Sequence, residues 1–230
     1  YGNQLTSLNV SANTALTHLE CNNNSLTSLD VSSNTALTSL MCHDNQLTSL
    51  DVSSNTALST FECTSNQITA LDVSNNTELS WFKCGDNQLT SLDVSSNPNL
   101  SFLICNSNQI TALDVSRNTA LTYLRCSNNQ LTYLNMKNGV TDQLTTFYAT
   151  LNSFTCIETL DPIYAAANWT SANGNIDAGV TFDVICGAAA RTNWHVASTG
   201  SDITGSGTLA SPLSSIQTAI NATTVGDTVS

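Results

Sequence analysis

Residues 28–48 read "SLDVSSNTALTSLMCHDNQLT", and residues 49–69 read "SLDVSSNTALSTFECTSNQIT". Position for position the second stretch repeats the first, changing only a few letters. The cysteines extend the pattern along the chain: Cys21, Cys42, Cys63, Cys84, Cys105 and Cys126 recur at a constant step of 21. Leu8, Leu29, Leu50, Leu71, Leu92, Leu113 and Leu134 keep the same step, as do Val10, Val31, Val52, Val73, Val94 and Val115. A period this short has no room for a pair of helices, so each unit forms one turn of a solenoid. Each unit divides into two halves of one form, L-x-x-L-x-(C/V)-x-x-N, which predicts two short strands on opposite sides of a flattened coil. Coils stacked about 4.8 Å apart set every residue above its counterpart. Six apolar columns then fill the interior, and Asn34, Asn55 and Asn76 on one side, with Asn45, Asn66 and Asn87 on the other, turn the corners. A stacked amide at a corner bonds backbone groups that would otherwise be orphaned.

Composition narrows the function. Acids outnumber bases 17 to 5 in 230 residues, for a formal charge of −12. Phosphate binding needs clustered Lys and Arg, so nucleic acid is excluded as a partner. No run of about 18 apolar residues exists to span a membrane. The chain opens as "YGNQLTSL", already inside a repeat and without a signal peptide, and is expected to be a piece of a longer polypeptide.

The unit "LTSLDVSSNTALTSLMCHDNQ" resembles the short, 21-residue bacterial class of leucine-rich repeats found in secreted proteins of Bacteroidetes-type bacteria. The resemblance covers about residues 3–155, in six full repeats and a degenerate seventh, "NQLTYLNMKNGVTDQLTTFYA", where two residues are inserted and Ala149 takes the cysteine place. It implies a mainly β solenoid with two short parallel strands per coil, working as an extracellular, non-catalytic recognition or adhesion module.

Comparison of coils within the chain separates scaffold from freedom. On the L-D-V strand the outward columns barely change: Ser28, Ser49, Ala70, Ser91, Ala112 and Asp30, Asp51, Asp72, Asp93, Asp114. On the L-x-C strand they differ in nearly every coil. One reads His18, Ser39, Thr60, Trp81, Phe102, Tyr123, Thr146, and its neighbour Glu20, Met41, Glu62, Lys83, Ile104, Arg125, Tyr148. Trp81, Phe102 and Tyr123 are predicted to form an exposed aromatic ladder flanked by Lys83, Ile104, Arg125 and Tyr148. A contiguous apolar patch with aromatic anchors marks a glycan- or protein-binding surface. The competing readings are cross-strand stabilisation of the sheet and cover by another domain.

The Asp column could suggest Ca²⁺, but no D-x-D-x-D-G loop supplies the converging oxygens such a site needs. A solvated face bonded to neighbouring Ser and Thr hydroxyls is the expectation. The repeat cysteines lie on an inward column and read as buried, inert thiols. Without a C-x-x-C pair zinc is not expected, and no cofactor is implied. Catalytic signatures are missing too: His18, His43 and His195 are scattered, and neither G-x-S-x-G nor H-E-x-x-H occurs. Glu20 and Glu62 share a column at a spacing near that of inverting glycosidases, on an exposed face with no expected pocket.

Beyond the repeats, "TCIETLDPIYAAANWTSANGNIDAGVTFDVICG" resembles the C-terminal cap that closes these bacterial arrays, and a Cys156–Cys186 disulfide is predicted. After a linker, "WHVASTGSDITGSGTLASPLSSIQTAINATTVGDTVS" resembles the opening of right-handed parallel β-helix domains of polysaccharide lyases and related surface proteins. A short capping helix is expected from Ser211 and Pro212, with Ile216, Ala219 and Ile220 on its apolar face. The expected organisation is a repeat solenoid over 1–155, a disulfide-closed cap over 156–186, a linker over 187–192 and a truncated β-helix start over 193–230. Secretion or display on a bacterial cell surface follows from this reading. Two further functions fit the pattern: a spacer carrying the β-helix domain, and ice binding through the column Thr27, Thr48, Thr69, Thr90, Thr111 and Thr132.

Overall fold

Leucine, valine and cysteine at fixed places in each unit leave the chain one way to hide them, which is to wind and stack. The computed structural model describes residues 2–187 together with 193, 194, 196, 200, 201, 213, 214, 218, 228 and 229. It is a mainly β parallel solenoid. The L-x-C segments form a seven-stranded parallel sheet of β1 His18–Glu20, β2 Ser39–Met41, β3 Thr60–Glu62, β4 Trp81–Lys83, β5 Phe102–Ile104, β7 Tyr123–Arg125 and β9 Thr146–Tyr148. Register is in step with the repeat, so His18 pairs with Ser39, Ser39 with Thr60, and Thr60 with Trp81.

On the L-D-V side the second strand is regular only late in the chain. A four-stranded sheet runs β11–β10–β8–β6, made of Thr181–Asp183, Cys156–Glu158, Tyr133–Asn135 and Ala112–Asp114. In the earlier coils this segment bends at once. The Asp30 carboxylate accepts the Ser32 N–H at 2.9 Å, and the Val31 carbonyl accepts the Asn34 N–H at 2.9 Å. The same two bonds follow β6, from the Ser116 N–H to Asp114 and from the Asn118 N–H to Val115, so the bend is common to coils with and without the strand. Asparagine side chains make the coil-to-coil links there instead: Asn34 Nδ2 donates to the Val10 and Asn13 carbonyls at 3.0 and 2.9 Å.

The six inward columns form one continuous core, and Phe61 and Phe82 stack inside it with ring centroids 5.4 Å apart. Each coil leaves the L-x-C strand through a left-handed residue: Asn23, Asp44, Ser65, Asp86, Ser107, Asn128 and Leu151 all have φ between 52° and 58°. Asn and Asp, which hold four of these seven positions, suit that conformation better than most residues.

The last coil is closed by a structure of its own. Helix α1, Pro162–Asn168, starts on the Asp161 carboxylate, which accepts the Tyr164 N–H at 2.9 Å. Trp169, buried behind it, packs on Phe147 and Phe182 with centroids 4.5 and 5.7 Å apart. The Asp177 carboxylate accepts the Leu151 and Asn152 N–H groups, standing in for the next coil's carbonyls. Cys156 and Cys186 are disulfide-bonded as predicted, with Cα atoms 5.7 Å apart. Further on, β12 Asn193–Trp194 and β13 Thr228–Val229 pair in parallel. The linker after Gly187, His195 and the helix expected from Ser211 and Pro212 over Ile216, Ala219 and Ile220 lie outside the described residues.

Candidate functional site

The seven-stranded sheet presents its outward side chains to solvent, and its centre is aromatic. Trp81 stacks on Phe102 at 5.4 Å between centroids, and Phe102 on Tyr123 at 4.0 Å, with interplanar angles of 18° and 20°. The parallel register drives this, because consecutive coils set like positions one strand spacing apart. All three rings are half-buried, since each covers part of the next. Lys83 Nζ lies 4.2 Å from the Trp81 ring centroid and 3.5 Å from Glu62 Oε1. Arg125 lies 5.3 Å from the Tyr148 ring, and Tyr148 is 38 % exposed. Ile104 sits half-buried between Lys83 and Arg125. The structure thus brings all seven sequence-predicted residues onto one face.

That face is wider than the two columns named from the sequence. Asn22, His43, Thr64, Gly85, Asn106, Ser127 and Thr150 form a third variable column, two residues beyond the Glu20 to Tyr148 column. Strand alternation carried one step further would have found it. The opposite border is a hydroxyl ladder: Thr38, Ser59, Ser80, Ser101, Thr122 and Thr145 each donate to the carbonyl of the counterpart one coil back, at 2.9–3.2 Å. Small polar residues are therefore fixed at this border by scaffold demands.

The L-D-V face behaves as a bonded, solvated surface. Asp30, Asp51, Asp72 and Asp93 have pKa values held below the usual carboxylate range, chiefly by hydrogen bonds from Ser32, Ser53, Ser74 and Ser95. Among the described residues no group of three or more His, Cys, Asp or Glu converges as a metal site. The Thr27 to Thr132 column is exposed on that side.

The six repeat cysteines are free and buried. Burial pushes the Cys105 thiol up to about 12 and Cys21 to about 11, so they stay protonated. A second buried group went unread in the sequence. Lys137, 3 % exposed, pairs with Glu158 at 2.8 Å, and Glu158 also accepts from the Tyr133 hydroxyl and the Cys186 N–H. Burial, then the charges of Glu158 and Asp114, raise the Tyr133 pKa. The signal was present: Lys137 stands where the preceding coils have Ser11, Ser32, Ser53, Ser74, Ser95 and Ser116.

Comparison with solved structures gives these features relatives. The functional domain of InlJ from Listeria monocytogenes, which includes a cysteine ladder, is 37% identical, with a TM-score of 0.54 over 68% of this chain and 42% of that one. The fold is that of leucine-rich-repeat proteins. The leucine-rich-repeat protein LIC12759 of Leptospira interrogans matches with a TM-score of 0.63 at 24% identity, over 68% of this chain and 43% of that one. An internalin of Listeria monocytogenes, inlF, matches at 28% identity with a TM-score of 0.57, over 64% and 45%. The chain thus spans less than half the length of these leucine-rich-repeat neighbours. No protein-family model matches the chain, and no curated protein does. No helix among the described residues is long and apolar enough to cross a membrane.

Proposed function

We propose that the chain is a recognition module of a secreted or surface-displayed bacterial protein, binding a protein or glycan partner through the outward face of the seven-stranded sheet. One observation carries this reading. Within a single chain, the outward L-D-V positions stay nearly constant while the outward L-x-C positions vary from coil to coil, over inward columns that remain apolar throughout. The aromatic stack on the variable side lies outside the core, which the inward columns already form beneath it. The internalin-type neighbours support a protein partner, and the flat, half-exposed rings of Trp81, Phe102 and Tyr123 equally suit the apolar face of a sugar. The disulfide supports an oxidising, extracellular setting. Parallel pairing of Asn193–Trp194 with Thr228–Val229 supports a β-helix opening after the cap, and with it a larger protein in which the solenoid is one domain.

The test is a paired screen on a glycan array and on a panel of extracellular proteins, comparing the wild type with a Trp81→Ser, Tyr123→Ser double variant. The expected result is a specific binder that the double variant loses by about tenfold or more, as removal of aromatic anchors does, with an unchanged circular dichroism spectrum. Binding that survives the double variant would move the site to another face.

A further inference from the structure

The seven-stranded sheet ends at β9, and the cap completes only part of that edge. In a parallel ladder one residue of the next strand fills a rung, giving its N–H to one carbonyl and its C=O to the N–H two residues on. The carbonyls of Thr17, Thr38, Ser59, Ser80, Ser101 and Thr122 all accept N–H groups from the following coil. The Thr145 carbonyl, next in that series, has no partner among the described residues. Alternation along the strand turns the Phe147 N–H to the same open side, because the Tyr148 carbonyl points back to accept the Cys126 N–H. That N–H also lacks a partner among the described residues, although Phe147 is buried. One rung further on the edge is closed. Asn175 stands in for a strand there, its Nδ2 donating to the Phe147 carbonyl at 2.8 Å and its carbonyl accepting the Ala149 N–H at 2.7 Å. The open rung faces a pocket of about 360 Å³, with Thr145, Thr146 and Phe147 on the strand side and Tyr164, Asn168 and Asn173 on the cap side. This is the small end of ligand sites, room for a short stretch of chain.

We infer that this rung takes one residue of an extended segment of a partner protein, added to the sheet edge as a short strand. The inference rests on the proposed recognition face and names the partner at its C-terminal border as a protein. An acceptor on Thr145 and a donor on Phe147, at ladder spacing, match the N–H and C=O of a single peptide residue. The lining agrees: among the described residues it carries no charge, and its hydroxyls and amides both donate and accept, as the peptide groups beside the rung require. Thr146 stands in register with Tyr123. A residue paired with Thr146 therefore sets its side chain in line with both, and the segment lengthens the face by one strand. Because Asn175 holds the following rung, the segment turns away after that residue.

Random linear dodecapeptides panned against the full chain supply the probe. In the free chain the Phe147 amide is expected to exchange with solvent faster than its counterparts Leu103 and Leu124, and a selected peptide to slow it about tenfold or more. N-methylation of the peptide at one residue only should weaken binding about tenfold, the equivalent of one backbone hydrogen bond. Asn173→Trp, which fills the pocket from the exposed loop, should abolish binding. A library that yields no binder, peptides that leave the Phe147 amide unprotected, tolerance of N-methylation at every residue, or binding that survives Asn173→Trp would overturn the inference. A Phe147 amide already slow in the free chain would overturn it too, since the chain's own segment would then fill the rung. Failure of the larger reading is separate. Peptide held at Phe147 survives a negative result for Trp81 and Tyr123, and partner capture lost with those rings survives an edge that takes no peptide.

Discussion

The two asparagine columns look alike in sequence, and their hydrogen bonds predict different costs of removal. Asn108 and Asn97 lie in the same central coil, and both are buried. Asn108 Nδ2 donates to the carbonyls of Cys84, Cys105 and Asn106 at 3.1–3.3 Å, and its Oδ1 accepts the Leu89 N–H at 2.9 Å. Those three carbonyls keep other donors, namely Asn87 Nδ2, Asn129 Nδ2 and the Asp86 N–H. The Leu89 N–H keeps none. Asn108→Ala therefore orphans one buried donor, at about 2 kcal/mol, and thins three shared bonds for about 1 more, or about 3 kcal/mol in all. Asn97 Nδ2 donates to the Val73 and Asn76 carbonyls, both of which also accept backbone N–H groups, and its buried Oδ1 has no partner. Asn97→Ala removes an acceptor that is already unsatisfied, so its net cost is about 1 kcal/mol. The void left by either substitution is the same size, so the contrast is one of hydrogen bonding. Urea titration followed by circular dichroism should show the midpoint of Asn108→Ala falling by about 1 M, against about 0.3 M for Asn97→Ala, at a slope of about 3 kcal/mol per M. Faster exchange of the Leu89 amide in Asn108→Ala alone would be the local signature. Equal midpoints, or a larger drop for Asn97→Ala, would refute the reasoning.

The other expectations concern the thiols, the disulfide and the buried ion pair. The six ladder thiols should resist maleimide in the native chain and all react once it is unfolded in denaturant. Because burial raises their pKa in the fold, their contribution to stability is fully present below about pH 9 and is lost as pH rises toward about 12, a trend that melting scans across that range would register. Cys156→Ser should cost about 3 to 4 kcal/mol from the freed loop, measured as a lowered melting temperature that reductant no longer shifts. Lys137→Met leaves Glu158 buried and unpaired and should cost about 3 to 5 kcal/mol, while Lys137→Met with Glu158→Leu should recover most of it in the same denaturation assay.

Sequence alone determined the solenoid, because a period of 21 compares each residue with its own neighbour in space. Once Cys42 is known to stack on Cys21 and Cys63, the inward columns, the buried thiols and the aromatic stack of Trp81, Phe102 and Tyr123 follow from alternation along the strand. The weakness of the second ladder did not follow, since the letters A-L-D-V stand both at 70–73, where no strand forms, and at 112–115, where β6 does. Apart from the Cys156–Cys186 disulfide, tertiary structure decided the contacts at the C-terminal end. Asp177 caps residues about one coil earlier without sharing their register, and Lys137 reaches the Val184 carbonyl 47 residues away. Tyr148, Asn168 and Asn173 line one pocket only because helix α1 folds back beside the last strand. Periodicity fixes neighbours that recur; a cap is used once, so its contacts carry no internal copy from which they could be read.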